Sequence, residues 1–202
     1  MNNFDFLENE RLKKQLAFLI EIDKMKEVFR RTVLLNSRRR ENDAEHSWSF
    51  AMYAIILQEY ANEKVNIERV IKIALVHDLV EVYAGDTFAY DTKGYEDKQQ
   101  RELDSAEKLF GMLPSDQRDE IRALWDEFEA KETPEAKFAN CCDRIQPLIH
   151  NYLTQGHTWK EGDVHSPEVY ERMNVMEKSA PELWKVVEGV ISNSIEQGIL
   201  KE

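Results

Sequence analysis

Three polar side chains interrupt the most apolar segment of the chain. His77, Asp78 and Glu81 lie within IERVIKIALVHDLVEVYA, residues 67–84. In an α-helix, where successive residues are about 100° apart, all three share one side. A buried carboxylate without a partner is destabilising or takes up a proton, so the cluster needs a cation or a dense hydrogen-bond network. A bound metal ion is the simplest explanation. A buried His–Asp pair satisfied by backbone groups or by an arginine is the alternative.

Two further residues of metal-ligand type lie far from this segment in the sequence. His46 follows Asn42, which can cap a helix, and Glu45, which can complete a capping box with it. Asp143 lies among apolar side chains in EAKFANCCDRIQPLIHNYLTQ, residues 135–155. We therefore expect a helix to position each of these two residues.

The elements that must hold these residues are helices. Apolar residues recur at spacings of three and four, and the 202 residues include only 7 Gly and 5 Pro. The chain is expected to form one all-α domain. We expect helices at about 8–29, 42–61, 67–84, 95–111, 115–131, 135–155 and 182–198, a loop at 85–94, and an arginine-rich link at 29–40.

The C-terminal region leaves one packing question open. The last helix has an apolar stripe that includes Leu183, Val187 and Ile191. This stripe packs either inside the domain or against a second subunit of a homodimer. The adjacent Cys141 and Cys142 lack the spacing of a zinc or redox motif and are expected in the core.

Charge and hydropathy exclude several classes of partner. The chain has 27 Lys and Arg residues and 39 Asp and Glu residues, so its net charge is −12 and it should repel nucleic acid. A small phosphorylated substrate is compatible with this charge, because a metal ion and a few arginines reverse the potential locally. The N-terminal segment lacks the pattern of a signal peptide, and no apolar run approaches the ~18 residues that span a bilayer. We expect a cytoplasmic protein without a membrane partner.

The order of His46, His77-Asp78 and Asp143 resembles the H…HD…D pattern of the HD-domain superfamily of metal-dependent phosphohydrolases. The surrounding segments ENDAEHS, HDLVEVYAGD and DRIQPL are similar to the branch that contains the small bacterial 5′-deoxynucleotidases. The resemblance covers about residues 30–155. It implies one HD-type helical bundle, residues 1–202, with helices at 166–199 packed on that core or on a partner subunit.

The resemblance also implies a metal site and a reaction. One divalent ion, which is Mn, Co, Fe, Ni, Zn or Mg, would be held by His46, His77, Asp78 and Asp143. Such an ion lowers the pKa of its water toward 7 and polarises the phosphorus centre. Glu81 would orient that water or move its proton. The expected activity is removal of phosphate from nucleoside or deoxynucleoside 5′-monophosphates.

Substrate contacts carried over from the family lie on both sides of the metal motif. Arg31 matches the arginine that orients the substrate phosphate, whereas Arg30, Arg38, Arg39 and Arg40 are expected to form a solvated stretch with one inward-facing ion pair at most. Asp78 is expected to contact the substrate as well as the metal. The sugar contacts are expected from Asp86, Thr87, Phe88 and Ala89. Thr32 occupies the position of a tryptophan in the deoxynucleotidases, which puts sugar discrimination in question.

Two other functions are weighed against this one. A hydrolase of hyperphosphorylated guanosine nucleotides would usually have an acidic pair after the HD turn, but Val82 follows Glu81 here. A non-catalytic metal or nucleotide sensor would be favoured by loss of a ligand or of Glu81, and all these residues are present.

Overall fold

The computed structural model describes Phe4, residues 6–36 and residues 39–202, so Arg38 lies outside the described residues. The helices dominate, as the sequence predicted. They are α1 Glu10–Glu21, α2 Asp43–Leu57, α3 Ile67–Val76, α4 Glu81–Ala84, α5 Tyr95–Phe110, α6 Ser115–Ala130, α7 Pro134–Leu153, α8 His157–Glu161, α9 Ser166–Met173, α10 Val175–Ser179 and α11 Pro181–Glu196. Short 3₁₀ turns follow α1 at Ile22–Glu27 and α2 at Gln58–Tyr60.

The arginine-rich link is a β-hairpin, which the sequence interpretation missed. Strands β1 (Phe29–Val33) and β2 (Arg40–Asn42) pair antiparallel, with Phe29 opposite Asn42 and Val33 opposite Arg40. Five residues of β1 thus face three of β2, and the register shifts between the two pairs. Such an irregularity bends a strand and changes the direction of its side chains. The first predicted helix ends early, at Glu21, and a 3₁₀ segment at Ile22–Glu27 connects it to this hairpin.

Side-chain caps begin the helices that hold the metal-type residues. Asn42 accepts a hydrogen bond from the Glu45 backbone, and the Glu45 side chain accepts one from the Asn42 backbone, which confirms the predicted capping box. Asn66 caps α3 through the backbone amides of residues 68 and 69. Thr133 caps α7 with Pro134 in its first turn. These caps fix where each helix starts, and therefore where its functional side chain lies.

The predicted helix at 67–84 is interrupted at His77–Val80, a correction to the sequence interpretation. The amides of Leu79, Glu81 and Val82 bond to carbonyls three residues earlier, so the chain winds more tightly than an α-helix. At three residues per turn, positions i and i+3 are aligned. The tight turn therefore stacks Glu81 directly over Asp78. The loop after α4 begins at Gly85, whose φ of 74° is rare for residues with a side chain.

Two apolar clusters form the core. The first core cluster includes Phe50, Val70, Ile73, Leu109 and Phe138, and the second core cluster includes Ile145, Trp159, Met173, Val187 and Ile191. Helix α7 contributes to both, with Cys141 in the second and Cys142 in the first, so both cysteines are core residues as predicted. Helix α11 packs its stripe inside the second core cluster. Among the described residues no helix is both long and apolar enough to cross a bilayer.

Candidate metal centre and substrate pocket

Four nitrogen and oxygen atoms from three parts of the fold meet at one point. His46 Nε2 on α2 lies 2.9 Å from Asp143 Oδ1 on α7, and His77 Nε2 at the end of α3 lies 3.0 Å from Asp78 Oδ2. The crossed distances are 3.9 Å from His46 Nε2 to Asp78 Oδ2 and 3.8 Å from His77 Nε2 to Asp143 Oδ1. Ligands about 2.1 Å from one ion are separated by about 3 Å or more. His46, His77 and Asp143 thus offer three ligand atoms within 4.8 Å of one another, and Asp78 Oδ2 lies within 4 Å of both histidine Nε2 atoms, a spacing that fits ligands of one cation.

The outer nitrogen of each histidine is held by a hydrogen bond. His46 Nδ1 lies 3.2 Å from Gln146 Oε1, and Gln146 Nε2 donates to Glu41 Oε1 at 2.8 Å. His77 Nδ1 lies 2.9 Å from the Ala74 carbonyl oxygen. Acceptors at Nδ1 leave the Nε2 lone pair of each ring directed toward the shared point. These contacts favour the tautomer that a metal ligand needs, while His46 Nε2 also lies within hydrogen-bond distance of Asp143 Oδ1.

The fit to a cation is supported by an orphaned buried atom. His77 Nε2 is buried and has no hydrogen-bond partner, although Asp78 Oδ2 is only 3.0 Å away. A close contact without hydrogen-bond geometry is expected for two ligands of the same ion. Two imidazoles and two carboxylates also form a donor set that divalent transition metals accept. The residues present therefore fit a divalent metal ion.

Charge interactions set the protonation of the centre. Burial would raise the pKa of Asp78, but the neighbouring His77 and Arg30 charges outweigh burial and lower it. Burial likewise opposes ionisation of Asp143, and the hydrogen bond and charge of His46 lower its pKa well below the usual range. Both carboxylates are thus ionised at neutral pH, as metal ligands must be.

A second group of carboxyls lies beside the four candidate ligands. Carboxyl oxygens of Asp43, Glu81 and Asp86 lie within 4.8 Å of one another, and both oxygens of the fully buried Asp43 lack a hydrogen-bond partner. Burial, and then the charge of Asp78, raises the pKa of Asp43 to about 8. Burial and the charges of Asp78, Asp43 and Asp86 raise the pKa of Glu81 well above its usual range. Burial and like charge therefore favour the protonated forms of Asp43 and Glu81.

Arg30 provides the counter-charge for these carboxyls. Its Nη1 lies 2.8 Å from Asp78 Oδ2, 3.6 Å from Asp43 Oδ1 and 3.7 Å from Asp86 Oδ1, and only 13% of its side chain is exposed. Arg30 is thus the inward-facing member of the arginine-rich stretch. Arg39 and Arg40 are exposed and form ion pairs with glutamates on the surface.

Arg31 and the expected sugar contacts line one pocket with the metal-type residues. The pocket wall includes Arg31, Thr32, Asp78, Asp86, Thr87, Phe88, Ala89, Glu81, His77 and Asp143. The Arg31 guanidinium lies 4.5 Å from the centre of the Phe88 ring, a cation–π contact. Arg101 donates to Thr87 Oγ1 and to the carbonyls of Ala84 and Gly94. Arg101 therefore ties together both ends of the loop that carries the expected sugar contacts.

Several residues of the site were missed in the sequence interpretation. Glu41, Asp43 and Gln146 are buried polar residues around His46, yet nothing in their local spacing distinguishes them from cap or surface residues. Asp43 lies inside the capping segment, where an acidic residue is common anyway. Arg30 had one available signal, since strand alternation places it and Arg31 on opposite faces. That signal was missed because the hairpin was not predicted.

Glu41 makes the stability of the metal-free protein depend on pH. Burial raises its pKa from 4.5 to about 7, so the folded state binds its proton more tightly than the unfolded state does. Between these values stability falls as pH rises, by about 3 kcal/mol in total from this group. The test is chemical unfolding of the parent and of a Glu41→Gln variant with chelator present. Between pH 4.5 and 7, the free energy of unfolding of the variant should fall by about 3 kcal/mol less than that of the parent. A variant with the same pH dependence as the parent would contradict this assignment.

Comparisons with known proteins agree with this arrangement. The family model "HD domain" matches residues 22–184. A 5′-deoxynucleotidase of Danio rerio is 32% identical over 170 residues, which cover 78% of this chain and 84% of that protein. A 5′-deoxynucleotidase of Enterobacter sp. (strain 638) is 32% identical over 126 residues, covering 58% of this chain and 63% of that protein.

A solved structure extends the likeness to the whole chain. The crystal structure of a predicted metal-dependent phosphohydrolase from Magnetospirillum magnetotacticum MS-1 superposes with a TM-score of 0.92 and 44% identity, covering 100% of both chains. The family model covers well over half of the sequence, including all four residues that meet at the centre. The chain therefore belongs to the HD domain family.

Proposed function

We propose that this protein is a metal-dependent 5′-nucleotidase that releases phosphate from nucleoside and deoxynucleoside 5′-monophosphates. The observation that carries this proposal is the clustering of ligand atoms of His46, His77 and Asp143 within 4.8 Å of one another. Asp78 Oδ2 lies within 4 Å of both histidines, and the adjoining pocket also contains Glu81, Arg30 and Arg31. The 5′-deoxynucleotidases among its relatives support the same reaction.

His46, His77, Asp78 and Asp143 would hold the metal ion. A bound divalent cation supplies a Lewis acid and lowers the pKa of water, so that hydroxide is available at neutral pH. Mn, Co, Fe, Ni, Zn and Mg are the candidates, and elemental analysis of the purified protein identifies the ion. The hydrogen bonds that Gln146 Oε1 and the Ala74 carbonyl accept from the histidine Nδ1 atoms keep both imidazoles oriented for this role.

Glu81 is proposed as the proton-transfer residue. Its Oε2 is buried without a hydrogen-bond partner, and the surrounding carboxyls favour its protonated form. A carboxyl in this state can donate a proton to a leaving sugar oxygen or exchange one with water. The stacking of Glu81 over Asp78 in the tight turn keeps this carboxyl next to the metal ligands.

The direct test is an assay of metal-reconstituted protein against nucleotides. The panel contains ribo- and deoxyribonucleoside 5′-monophosphates, hyperphosphorylated guanosine nucleotides and generic phosphate esters. We expect 5′-monophosphates to be hydrolysed with little dependence on the base, because the metal ion, Glu81 and Arg31 would act on the phosphate group and not on the base. Preference for the hyperphosphorylated guanosine nucleotides would indicate a hydrolase of those nucleotides. Nucleotide binding without turnover would indicate a non-catalytic sensor.

Arg31 is proposed to orient the substrate phosphate, and Arg30 is its matched control. Replacing Arg31 with alanine should lower kcat/KM by tenfold or more while metal content is retained, because phosphoryl transfer depends on positioning and charge stabilisation. Arg30 contacts three carboxyls, including Asp78, so Arg30→Ala should lower thermal stability and alter metal content, which Arg31→Ala should leave unchanged. The reverse pattern, with activity lost only in Arg30→Ala, would indicate that Arg30 and not Arg31 contacts the phosphate.

Thr32 is expected to give weak discrimination between ribose and deoxyribose. Its side chain is small, hydroxylated and nearly buried in the pocket wall, so it leaves room for a 2′-hydroxyl. Thr32→Trp should therefore raise the ratio of kcat/KM for deoxyribonucleotides over ribonucleotides. The measurement uses paired substrates on both proteins. If the parent prefers deoxyribonucleotides by more than roughly 100-fold, residues other than Thr32 determine the sugar selectivity, and variants of the Asp86 loop are the next to test.

A homodimer and a cytoplasmic location stay predictions, as does the absence of nucleic acid and membrane partners. An exposed apolar stripe on α2 supports the dimer: Trp48, Met52 and Ile56 recur every four residues, and Trp48 is 66% exposed. Light scattering of the parent and a Trp48→Asp variant would test it. Cell fractionation would test the location.

A further inference from the structure

Three cations in the pocket have no role in the site described so far. Lys131, Arg144 and Arg172 line the same pocket as the metal-type residues. Lys131 ends α6 in a left-handed conformation, Arg144 follows Asp143 on α7, and Arg172 lies on α9. We call these three residues the cationic cluster. It is notable in a protein whose net charge is −12.

Two members of the cationic cluster, Arg144 and Lys131, are not neutralised by a carboxylate of the described chain, whereas Arg172 pairs with Asp143 at 3.8 Å. Arg144 Nη1 donates to the Arg172 carbonyl at 2.6 Å and Nη2 to Asn140 Oδ1 at 3.3 Å, while its Nε is buried without a partner. Within residues 6–36 and 39–202, neither Arg144 nor Lys131 forms an ion pair with a carboxylate. By contrast, Arg69, which lies on α3, forms an ion pair with Glu127.

The electrostatics agree with this contact pattern. Burial lowers the pKa of Lys131, the charges of Arg144 and Arg172 add to that effect, and Glu129 offsets only part of it. Positive charge that the protein does not neutralise is stabilised by an anionic ligand.

Asp143 connects the cationic cluster to the candidate metal centre. Its Oδ1 lies 2.9 Å from His46 Nε2, and its Oδ2 lies 3.8 Å from Arg172 Nη2. The Asp143 carboxylate is therefore shared, since its Oδ1 is one of the four candidate ligand atoms and its Oδ2 faces Arg172. One phosphate group can contact both regions, since each of its oxygens accepts hydrogen bonds in a different direction.

We propose that the cationic cluster binds the non-bridging oxygens of the phosphate group in this pocket, with Arg172 and Arg144 as donors and Lys131 as an additional charge. This inference rests on the proposed function for the identity of the whole substrate, but not for the binding of phosphate. The guanidinium groups match phosphate geometry, and the lysine attracts the anion as a point charge.

Binding of inorganic phosphate to the metal-loaded protein tests the cationic cluster directly. Isothermal titration calorimetry should show that Arg172→Gln and Lys131→Gln each weaken phosphate binding, by about tenfold or more for Arg172→Gln because a hydrogen bond to a charged group is lost. Arg172→Lys should recover part of the affinity. Lys185→Gln is the control, because it removes the same charge from an exposed position on α11. Elemental analysis and thermal unfolding verify that each variant keeps its metal and its fold.

The outcomes separate this inference from the proposed function. Phosphate binding that weakens in the Arg172 and Lys131 variants supports the cationic cluster, even where the parent hydrolyses no 5′-monophosphate. Variants that bind phosphate as tightly as Lys185→Gln overturn it, even where the parent is an active nucleotidase. A parent that binds no phosphate at millimolar concentration overturns it as well.

Discussion

Replacing Asp143 with alanine should reduce metal affinity by more than about 100-fold and remove nearly all phosphatase activity. Loss of a hydrogen-bond partner behind a ligand typically costs 10–100-fold in affinity or activity, and loss of the ligand itself should cost more. Asp143 Oδ1 lies within 4 Å of both histidine Nε2 atoms, so its removal takes away the negative charge between them. The measurement is elemental analysis after dialysis against a buffered metal concentration.

A second ligand variant and a surface control complete this experiment. His46→Ala should lose metal in the same way, whereas Asp126→Ala should not, since Asp126 is an exposed partner of Arg122. Circular dichroism establishes that the helices persist in each variant. If both ligand variants bind as much metal as the parent, the proposed ligand set is wrong.

Replacing Glu81 with glutamine should lower kcat by on the order of 10²-fold or more while the metal stays bound. Glutamine preserves the shape of the side chain but cannot exchange a proton, and general acid–base groups contribute effects of this size. The change should not destabilise the protein, because the charges of Asp43, Asp78 and Asp86 already disfavour an ionised Glu81. Turnover, metal content and melting temperature are measured on the same preparation.

A buried glutamate in the same pocket serves as the control. Glu102 lines the pocket and pairs with Lys98, so Glu102→Gln should change kcat only a few-fold. Equal turnover in Glu81→Gln and the parent would remove Glu81 from the mechanism. If Glu81→Gln loses the metal, Glu81 instead has a structural role in the metal centre.

Much of the helical architecture could be predicted because it depends on local patterns. The capping box at Asn42, the cap at Asn66 and the apolar periodicity of α5, α6 and α7 each act within one element. The β-hairpin depends on pairing between strands, and the tight turn at His77–Val80 depends on side chains packed around it. Neither has a local signal strong enough to compete with the helical pattern.

The candidate site was predictable in its motif residues and not in their surroundings. His77, Asp78 and Glu81 were conspicuous because polar residues interrupted an apolar segment. Gln146 and Arg30 act through residues distant in sequence, and a glutamine in a helix or an arginine in a basic stretch resembles an ordinary surface residue. Burial and contact partners, which are properties of tertiary structure, distinguish Gln146, and the alternation that distinguishes Arg30 is visible only once the strand is assigned.

Helix α7 links the two core clusters, which has a consequence for how the protein unfolds. Phe138 and Cys142 pack in the first core cluster and Ile145 and Leu148 in the second, with Asp143 between these positions. Disordering either cluster would uncover one side of α7 and weaken the packing of the other. We infer that the two clusters unfold cooperatively, as one unit rather than as separate foldons. Access to the centre around Asp143 is then through the pocket that Asp143 lines, not through separation of the clusters.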